Sequence, residues 1–163
     1  QTQSGLTIHT IENSDATVER IRRALTESDL FHYAGHGEFS TDRVTDSSLI
    51  LANNTRLNIG DILSLGQVPN HVVLSACESA KTKTQLPLEA LGLAQAFALA
   101  GSQTVIATTR PVKDDLSRYL TDELYKSYQT NRDFSQALRE AQLKANDAFP
   151  NADWSTFRLI TPQ

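Results

Sequence analysis

Hydrophobic and polar positions along the chain form short apolar runs that alternate with longer segments of helical periodicity. Apolar runs rich in β-branched residues predict strands at 6–11, 30–34, 71–76, 104–109 and 154–160, and a short hairpin at 49–57. Apolar residues at helical spacing predict helices at 18–25, 59–65, 87–101, 114–128 and 134–148. Because strands and helices largely alternate, we expect an α/β fold with a mostly parallel sheet and helices on both faces.

Two of the predicted strands end in residues with reactive side chains. The run at 30–34 is followed by His36 between Gly35 and Gly37, and the run at 71–76 is followed by Cys77, the single cysteine of the chain. Glycine lets the backbone turn sharply and lets another group approach closely. Open α/β sheets bind their ligands at the carboxyl ends of strands. One histidine and one cysteine at two such ends form the layout of a cysteine nucleophile with a histidine base.

A cysteine nucleophile needs a base beside it, and His36 is the candidate for that base. At its reference pKa of about 8.5, a thiol is only a few per cent thiolate at neutral pH, so it needs a nearby base. His36 can act as that base and later as the acid toward a leaving amine. The backbone N–H groups of Gly37 and Cys77 are natural donors to an oxyanion. A structural interpretation stands beside this one, because a lone cysteine at a strand end is usually a buried hydrophobe and a histidine between glycines is often a turn residue.

The bulk composition narrows the classes of function. The 163 residues suffice for one domain, and 39% hydrophobic with 21% charged residues indicates a globular chain. A net charge of −4 gives no support for binding nucleic acid or an anionic membrane surface. A single cysteine excludes an intrachain disulfide and fits a reducing, cytoplasmic compartment. No apolar run reaches the ~18 residues of a membrane span, and no signal peptide is visible.

Other chemistries lack part of their signature. His32 and His36 have no further cysteine or acidic cluster to complete a zinc site, so we expect no metal, and we expect His32 to pack in the sheet. Ser75 lacks the Gly-x-Ser-x-Gly elbow of a serine hydrolase. The chain also lacks Gly-x-Gly-x-x-Gly and Walker-type loops, so we expect no nucleotide or other cofactor. The polar segment 78–85 has no apolar period and predicts a mobile loop.

Two motifs together resemble a known family. The sequence HYAGHG at 32–37, followed by LSACES at 74–79, is similar to the paired motifs of the CHAT-domain peptidases, relatives of caspases and separases. The resemblance extends over roughly residues 5–161, through segments at 48–63, 91–115, 137–142 and 154–157.

The resemblance implies a caspase-like three-layer sandwich and a cysteine endopeptidase that cleaves a partner protein. By position, His36 is the base, Cys77 is the nucleophile and the N–H of Gly37 belongs to the oxyanion hole. The resemblance also implies regulation by an upstream sensor module such as TPR repeats, on the same or another chain, in bacterial signalling or defence. The alternative is a catalytically silent interaction module that keeps the fold.

Several residues are candidates for the substrate cleft. Glu78 and Ser79 directly follow the cysteine, and Arg110 lies in a turn that borders the cleft in related folds. Asp46, Glu78 and Asp114 are acids that would suit a pocket for a basic side chain. The chain departs from the family pattern at TRPV, residues 109–112, where the family has LWPV, and at Ala80-Lys81, where a glycine is common.

The start of the sequence carries a further expectation. Caspase-like domains normally begin with a strand and helix before the equivalent of 6–11, and that strand lies centrally in the sheet. Only five residues precede Leu6, too few for both elements. We therefore expect residues 1–163 to be a single domain that forms the C-terminal part of a longer chain, with the absent strand supplied by an upstream segment.

Overall fold

The computed structural model describes residues 2–3, 6–38, 44–78 and 89–162. The α-helices in these ranges are α1 (Val18–Glu27), α2 (Ile59–Leu63), α3 (Glu89–Ala100), α4 (Asp114–Asn131) and α5 (Phe134–Ala148). The strands are β1 (Thr2–Gln3), β2 (Leu6–Thr7), β3 (Leu30–Glu38), β4 (Ser48–Ile50), β5 (Arg56–Asn58), β6 (His71–Glu78), β7 (Thr104–Thr108) and β8 (Phe157–Ile160). The predicted mobile loop at 78–85 lies outside the described residues apart from the backbone of Glu78, which ends β6.

Six strands form one sheet in the order β5-β4-β3-β6-β7-β8. β6 is parallel to both β3 and β7, whereas the pairs β3–β4, β4–β5 and β7–β8 are antiparallel. The sheet is therefore mixed, and the expectation of a mostly parallel sheet is not confirmed. Its parallel centre brings the carboxyl ends of β3 and β6 to the same edge.

The connections explain the antiparallel strands. Asn53 and Asn54 adopt left-handed backbone angles, with φ of 54° and 58°, and turn the chain directly from β4 into β5 as the hairpin prediction required. Between β7 and β8 the chain runs through two helices, α4 and α5, joined by a short turn at Arg132, where φ is 57°. Two helices return the chain to the end of the sheet where β7 finished, so β8 must run the opposite way.

The predicted strand at 6–11 is mostly absent. Only Leu6–Thr7 is extended, and it pairs with Thr2–Gln3 in a separate two-stranded sheet. Residues 7–10 are exposed, including Ile8 at 48%. Of residues 7–11, only Ile11 packs against the core, so the β-branched pattern alone is not enough to place this segment in the main sheet.

The core has two halves, one on each face of the sheet. On one face α1, α2 and α3 pack on Phe31, Tyr33, Val72 and Leu74. On the other face α4 and α5 pack on Val73, Ile106 and Phe157. This layering confirms the prediction of helices on both faces and is consistent with a caspase-like fold.

The helix predictions hold in outline. α3 buries Leu93, Ala94 and Phe97 almost completely, as its apolar composition indicates, and Gly101 follows its last residue with φ of 116°. Leu99 is an exception among the apolar residues of this helix, because it is 80% exposed. Among the helices of the described ranges, none is both long enough and apolar enough to cross a membrane.

Candidate active site

His36 and Cys77 are direct neighbours across two parallel strands. The register of β3 on β6 runs from Leu30 opposite His71 to Gly37 opposite Glu78, and it pairs His36 with Cys77. Neighbouring strands in a sheet lie about 4.8 Å apart. Two motifs that are far apart in sequence therefore meet at one position of the sheet. The side chain of Cys77 lies outside the described part of the chain.

The alternation of β3 places His36 on the face of the sheet that carries α4. Phe31 and Tyr33 are buried in the core under α1–α3, whereas His32, Ala34 and His36 are exposed on the opposite face. The imidazole of His36 is thus open to solvent rather than packed in the core.

A cavity of about 450 Å³ lies between this face of the sheet and α4. His36 lines it together with His32, Ala34, Gly35 and Ser75 from the sheet and Asp114, Ser117, Arg118, Thr121 and Asp122 from α4. Its volume is in the range of small-molecule and side-chain pockets. The lining residues include hydroxyl groups and side chains of both signs of charge.

His32 lies in β3 of the sheet, as predicted, and its side chain faces this cavity rather than the core under α1–α3. Its Nε2 lies 3.3 Å from Ser75 Oγ, and its ring centroid lies 5.6 Å from that of Tyr125 on α4. Although solvent reaches the ring through the cavity, burial among protein atoms lowers the pKa of His32 to about 4. The ring is therefore neutral at physiological pH, and the Ser75 pair contributes no charge to the cavity.

The backbone near the end of β3 is held from the core side by Tyr33. Its Oη lies 2.8 Å from the carbonyl oxygen of His36 and 2.6 Å from that of Ile50. Burial raises the pKa of Tyr33 to about 12, so the hydroxyl stays protonated and remains a donor. Glu38, the last residue of β3, forms a bidentate ion pair with Arg56 of β5, with N···O distances of 2.8 and 3.0 Å.

Of the cleft residues predicted from sequence, Asp114 lines the cavity. Arg110 is not among the lining residues; its guanidinium pairs with Asp153 at 2.8 Å, and its backbone is bonded to Thr156. Asp46 is exposed in a short 3-10 helix and is not among them either. The side chain of Glu78 and the whole of Ser79 lie outside the described residues.

Apart from Asp114, the residues of α4 that line the cavity were not predicted from the sequence. Ser117, Arg118, Thr121 and Asp122 recur at spacings of three and four along the helix, so they share one face. A polar stripe of this kind is also what any solvent-facing helix presents. The pattern was therefore visible, but it did not distinguish a cavity wall from an ordinary surface.

The proposed oxyanion donor Gly37 lies inside the sheet. It is buried, and its register pairs it with Leu49 on one side and with Glu78 on the other. The strands thus stay paired one residue beyond His36 and Cys77. Within the ranges that the structure covers, no group of three or more His, Cys, Asp or Glu residues is arranged to hold a metal ion.

Comparison with known proteins identifies the family. A search of curated proteins gave no match. The family model described as CHAT domain matches residues 2–161, nearly the whole chain, and so includes both strand-end motifs. The chain belongs to the CHAT domain family.

Proposed function

We propose that this domain is a cysteine endopeptidase that cleaves a partner protein, with Cys77 as nucleophile and His36 as general base. The observation that carries the proposal is the register that pairs His36 with Cys77 beside an open cavity. A base on the adjacent strand can take the thiol proton without a large movement, as nucleophilic catalysis requires. Membership of the CHAT family adds support.

The reaction has two halves. The thiolate sulfur attacks the carbonyl carbon of the scissile peptide bond, and N–H groups of Gly37 and Cys77 stabilise the oxyanion. When the C–N bond breaks, the imidazolium of His36 gives its proton to the leaving amine, and an acyl-enzyme remains on Cys77. A water molecule then gives its proton to His36 and attacks the thioester, which releases the carboxylate product and restores the thiol.

The cavity serves as the pocket for a substrate side chain next to the scissile bond. Its walls contain hydroxyl groups, the neutral His32, the guanidinium of Arg118 and the carboxylates of Asp114 and Asp122. Such a lining favours a long polar or basic side chain over an aliphatic one, because an aliphatic group would leave these polar groups desolvated and unpaired.

One observation favours the alternative, a silent interaction module. The pairing of β3 with β6 continues to Gly37 and Glu78, so the backbone of both strands is engaged in the sheet where the oxyanion donors are required. Catalysis therefore requires that this last pair opens. We propose that this pair opens at a basal rate in the domain itself, and that an upstream sensor module, on the same or another chain, makes the opening more frequent and so raises the activity.

Covalent labelling tests the proposal. A peptide acyloxymethyl ketone should add once to the wild-type protein, as seen by intact mass, and prior iodoacetamide should block the addition. The chain has a single cysteine, so Cys77→Ala should abolish labelling, and His36→Ala should slow it severely. His9→Ala, at an exposed histidine of the N-terminal segment, is the matched control and should label like wild type. Equal labelling of the wild-type and His36→Ala proteins would favour the silent module.

A further inference from the structure

The hydroxyl of Tyr33 lies between the ends of two strands. The antiparallel register of β3 and β4 ends at Gly37 opposite Leu49, one step before His36 and Ile50. At that next step the Tyr33 hydroxyl reaches both carbonyl oxygens, at 2.8 Å from His36 and 2.6 Å from Ile50. The hydroxyl has one proton to donate, so the two carbonyls share it.

The carbonyl of His36 and the N–H of Gly37 belong to one planar peptide unit. In a trans peptide these two groups point in opposite directions. The Tyr33 hydroxyl holds the carbonyl toward the β4 side, where Ile50 lies. The N–H of Gly37 therefore points toward β6, the strand on which Cys77 is paired with His36.

We propose that Tyr33 is a positioning residue, whose hydroxyl fixes the orientation of the peptide between His36 and Gly37. Through this one peptide it sets both the backbone that carries the imidazole of His36 and the direction of the Gly37 N–H. The structural part of the inference is independent of the activity, and its catalytic consequence rests on the proposed function.

Gly35 supports this assignment. The Tyr33 ring passes so close to Gly35 that a Cβ at this position would lie 2.6 Å from Oη and 2.8 Å from Cζ. The ring reaches the His36 carbonyl along a path that is open only because residue 35 has no side chain. Tyr33, Gly35 and His36 thus form a short unit in which the first two residues determine the backbone of the third.

A tyrosine buried only for stability would behave differently. Tyr128 is the matched control, because it is as buried as Tyr33, at 8% exposure. It stacks on Phe134 at 3.9 Å and packs near His71, the first residue of β6, at the opposite end of that strand from Cys77. The change to phenylalanine keeps the ring and removes only the hydroxyl in both cases.

The test exploits a feature of the sequence: His36–Gly37 is its single His–Gly step. Labelling histidine with carbonyl ¹³C and glycine with ¹⁵N therefore gives one cross-peak in a carbonyl–amide correlation spectrum, from this peptide alone. Tyr33→Phe should move that peak, and Tyr128→Phe should leave it in place. Because 3-fluorotyrosine is a stronger hydrogen-bond donor, Tyr33→3-fluorotyrosine should move the carbonyl shift in the opposite direction, and it preserves the packing if Tyr33→Phe fails to fold.

The catalytic arm uses a peptide substrate. Tyr33→Phe should lower kcat by about ten-fold or more with KM within about two-fold, because misplacing the base or an oxyanion donor affects the transition state more than binding. Tyr128→Phe should change neither parameter. An unmoved peak overturns the orientation, and a moved peak with unchanged kcat overturns the positioning role. If the wild-type protein neither cleaves the peptide nor reacts with the label, the proposed function is contradicted instead. The His36–Gly37 cross-peak then still tests the orientation of that peptide.

Discussion

At the scale of single residues, the absence of a side chain at Gly35 makes room for the Tyr33 ring near the end of β3. A methyl group there would overlap the Tyr33 ring, whose hydroxyl is held between the carbonyls of His36 and Ile50. The tyrosine is buried, so it cannot swing into solvent without opening the core.

Gly35→Ala should therefore destabilise the protein by about 1–3 kcal/mol, the usual range for overpacking a filled core. It should also impair activity, because Tyr33 must move away from His36. Gly66→Ala is the control, since a Cβ at Gly66 meets no atom within 4 Å. That variant should stay within about 1 kcal/mol of wild type or be slightly more stable. Urea unfolding of the two variants gives the comparison, and equal stabilities would contradict the packing argument.

His32 gives a pH dependence at the same scale. Burial lowers its pKa to about 4 from an ordinary value of 6.5. The unfolded chain therefore takes up a proton near pH 6.5, and the folded protein resists it until about pH 4. Stability from the neutral ring is present above pH 6.5 and is lost as the pH falls toward 4.

The imidazole resonances of wild type and His32→Gln, followed by NMR, assign and titrate His32 directly. We expect a midpoint near pH 4, whereas a midpoint near 6.5 would show that the cavity hydrates the ring fully. His32→Gln should also weaken the loss of stability between these two pH values, because glutamine cannot take up the proton.

These residues also show what a single sequence reveals and what it hides. The meeting of His36 and Cys77 was predictable because each follows a short apolar run, and parallel strands align such ends. The cavity beside His32 was not predicted, because alternation in a strand tells which residues share a face but not which face is open. The role of Gly35 depends on a tyrosine ring passing over it, a contact that no local pattern encodes.

At the scale of elements, α4 and α5 are joined by a charge cluster as well as by apolar packing. Glu123 on α4 is 8% exposed, and its carboxylate oxygens lie 2.5 Å from Lys126 Nζ and 2.6 Å from Lys144 Nζ on α5. The hydrogen bonds from Lys126 and Lys144 hold the pKa of Glu123 below its ordinary value of 4.5.

Glu123→Gln should lower the stability at neutral pH by about 1 kcal/mol, a modest value because both lysines are more than half exposed. The lowered pKa means that the charged pairing stabilises above pH 4.5 and is lost as the pH falls further, so the difference from wild type should shrink in acid. Asp147→Asn, at an exposed acid of α5, is the control. Thermal unfolding at two pH values checks this, and an acid-independent difference would contradict it.

The order of elements was largely predictable, but their direction was not. The apolar runs at 30–34, 71–76 and 104–109 are the three parallel central strands, and their continuous apolar character is what burial on both faces produces. The sheet becomes mixed because two consecutive helices, α4 and α5, precede β8, and because Asn53 and Asn54 turn β4 into β5. The direction of a strand depends on how many elements run along the sheet before it. Hydrophobic periodicity does not determine that number.

At the scale of the whole molecule, the fold brings two distant motifs to one register position. The α3 side of the sheet carries the larger part of the core and supports Tyr33, while the α4 side leaves a cavity in front of His36. One face of β3 thus packs in the core, and the other lines the cavity. This division explains how a single strand holds both a buried tyrosine and an exposed histidine three residues later.

The most direct test of the account is cleavage of a diverse peptide library, read by mass spectrometry, with wild type, Cys77→Ala and His36→Ala compared at equal concentration. The account predicts peptide cleavage by wild type, enriched for polar or basic side chains at the cut site. It predicts that both variants lose all but a few per cent of this cleavage, because the two residues act as one unit. Cleavage by Cys77→Ala above a few per cent of the wild-type rate, or no cleavage by wild type, would contradict the account.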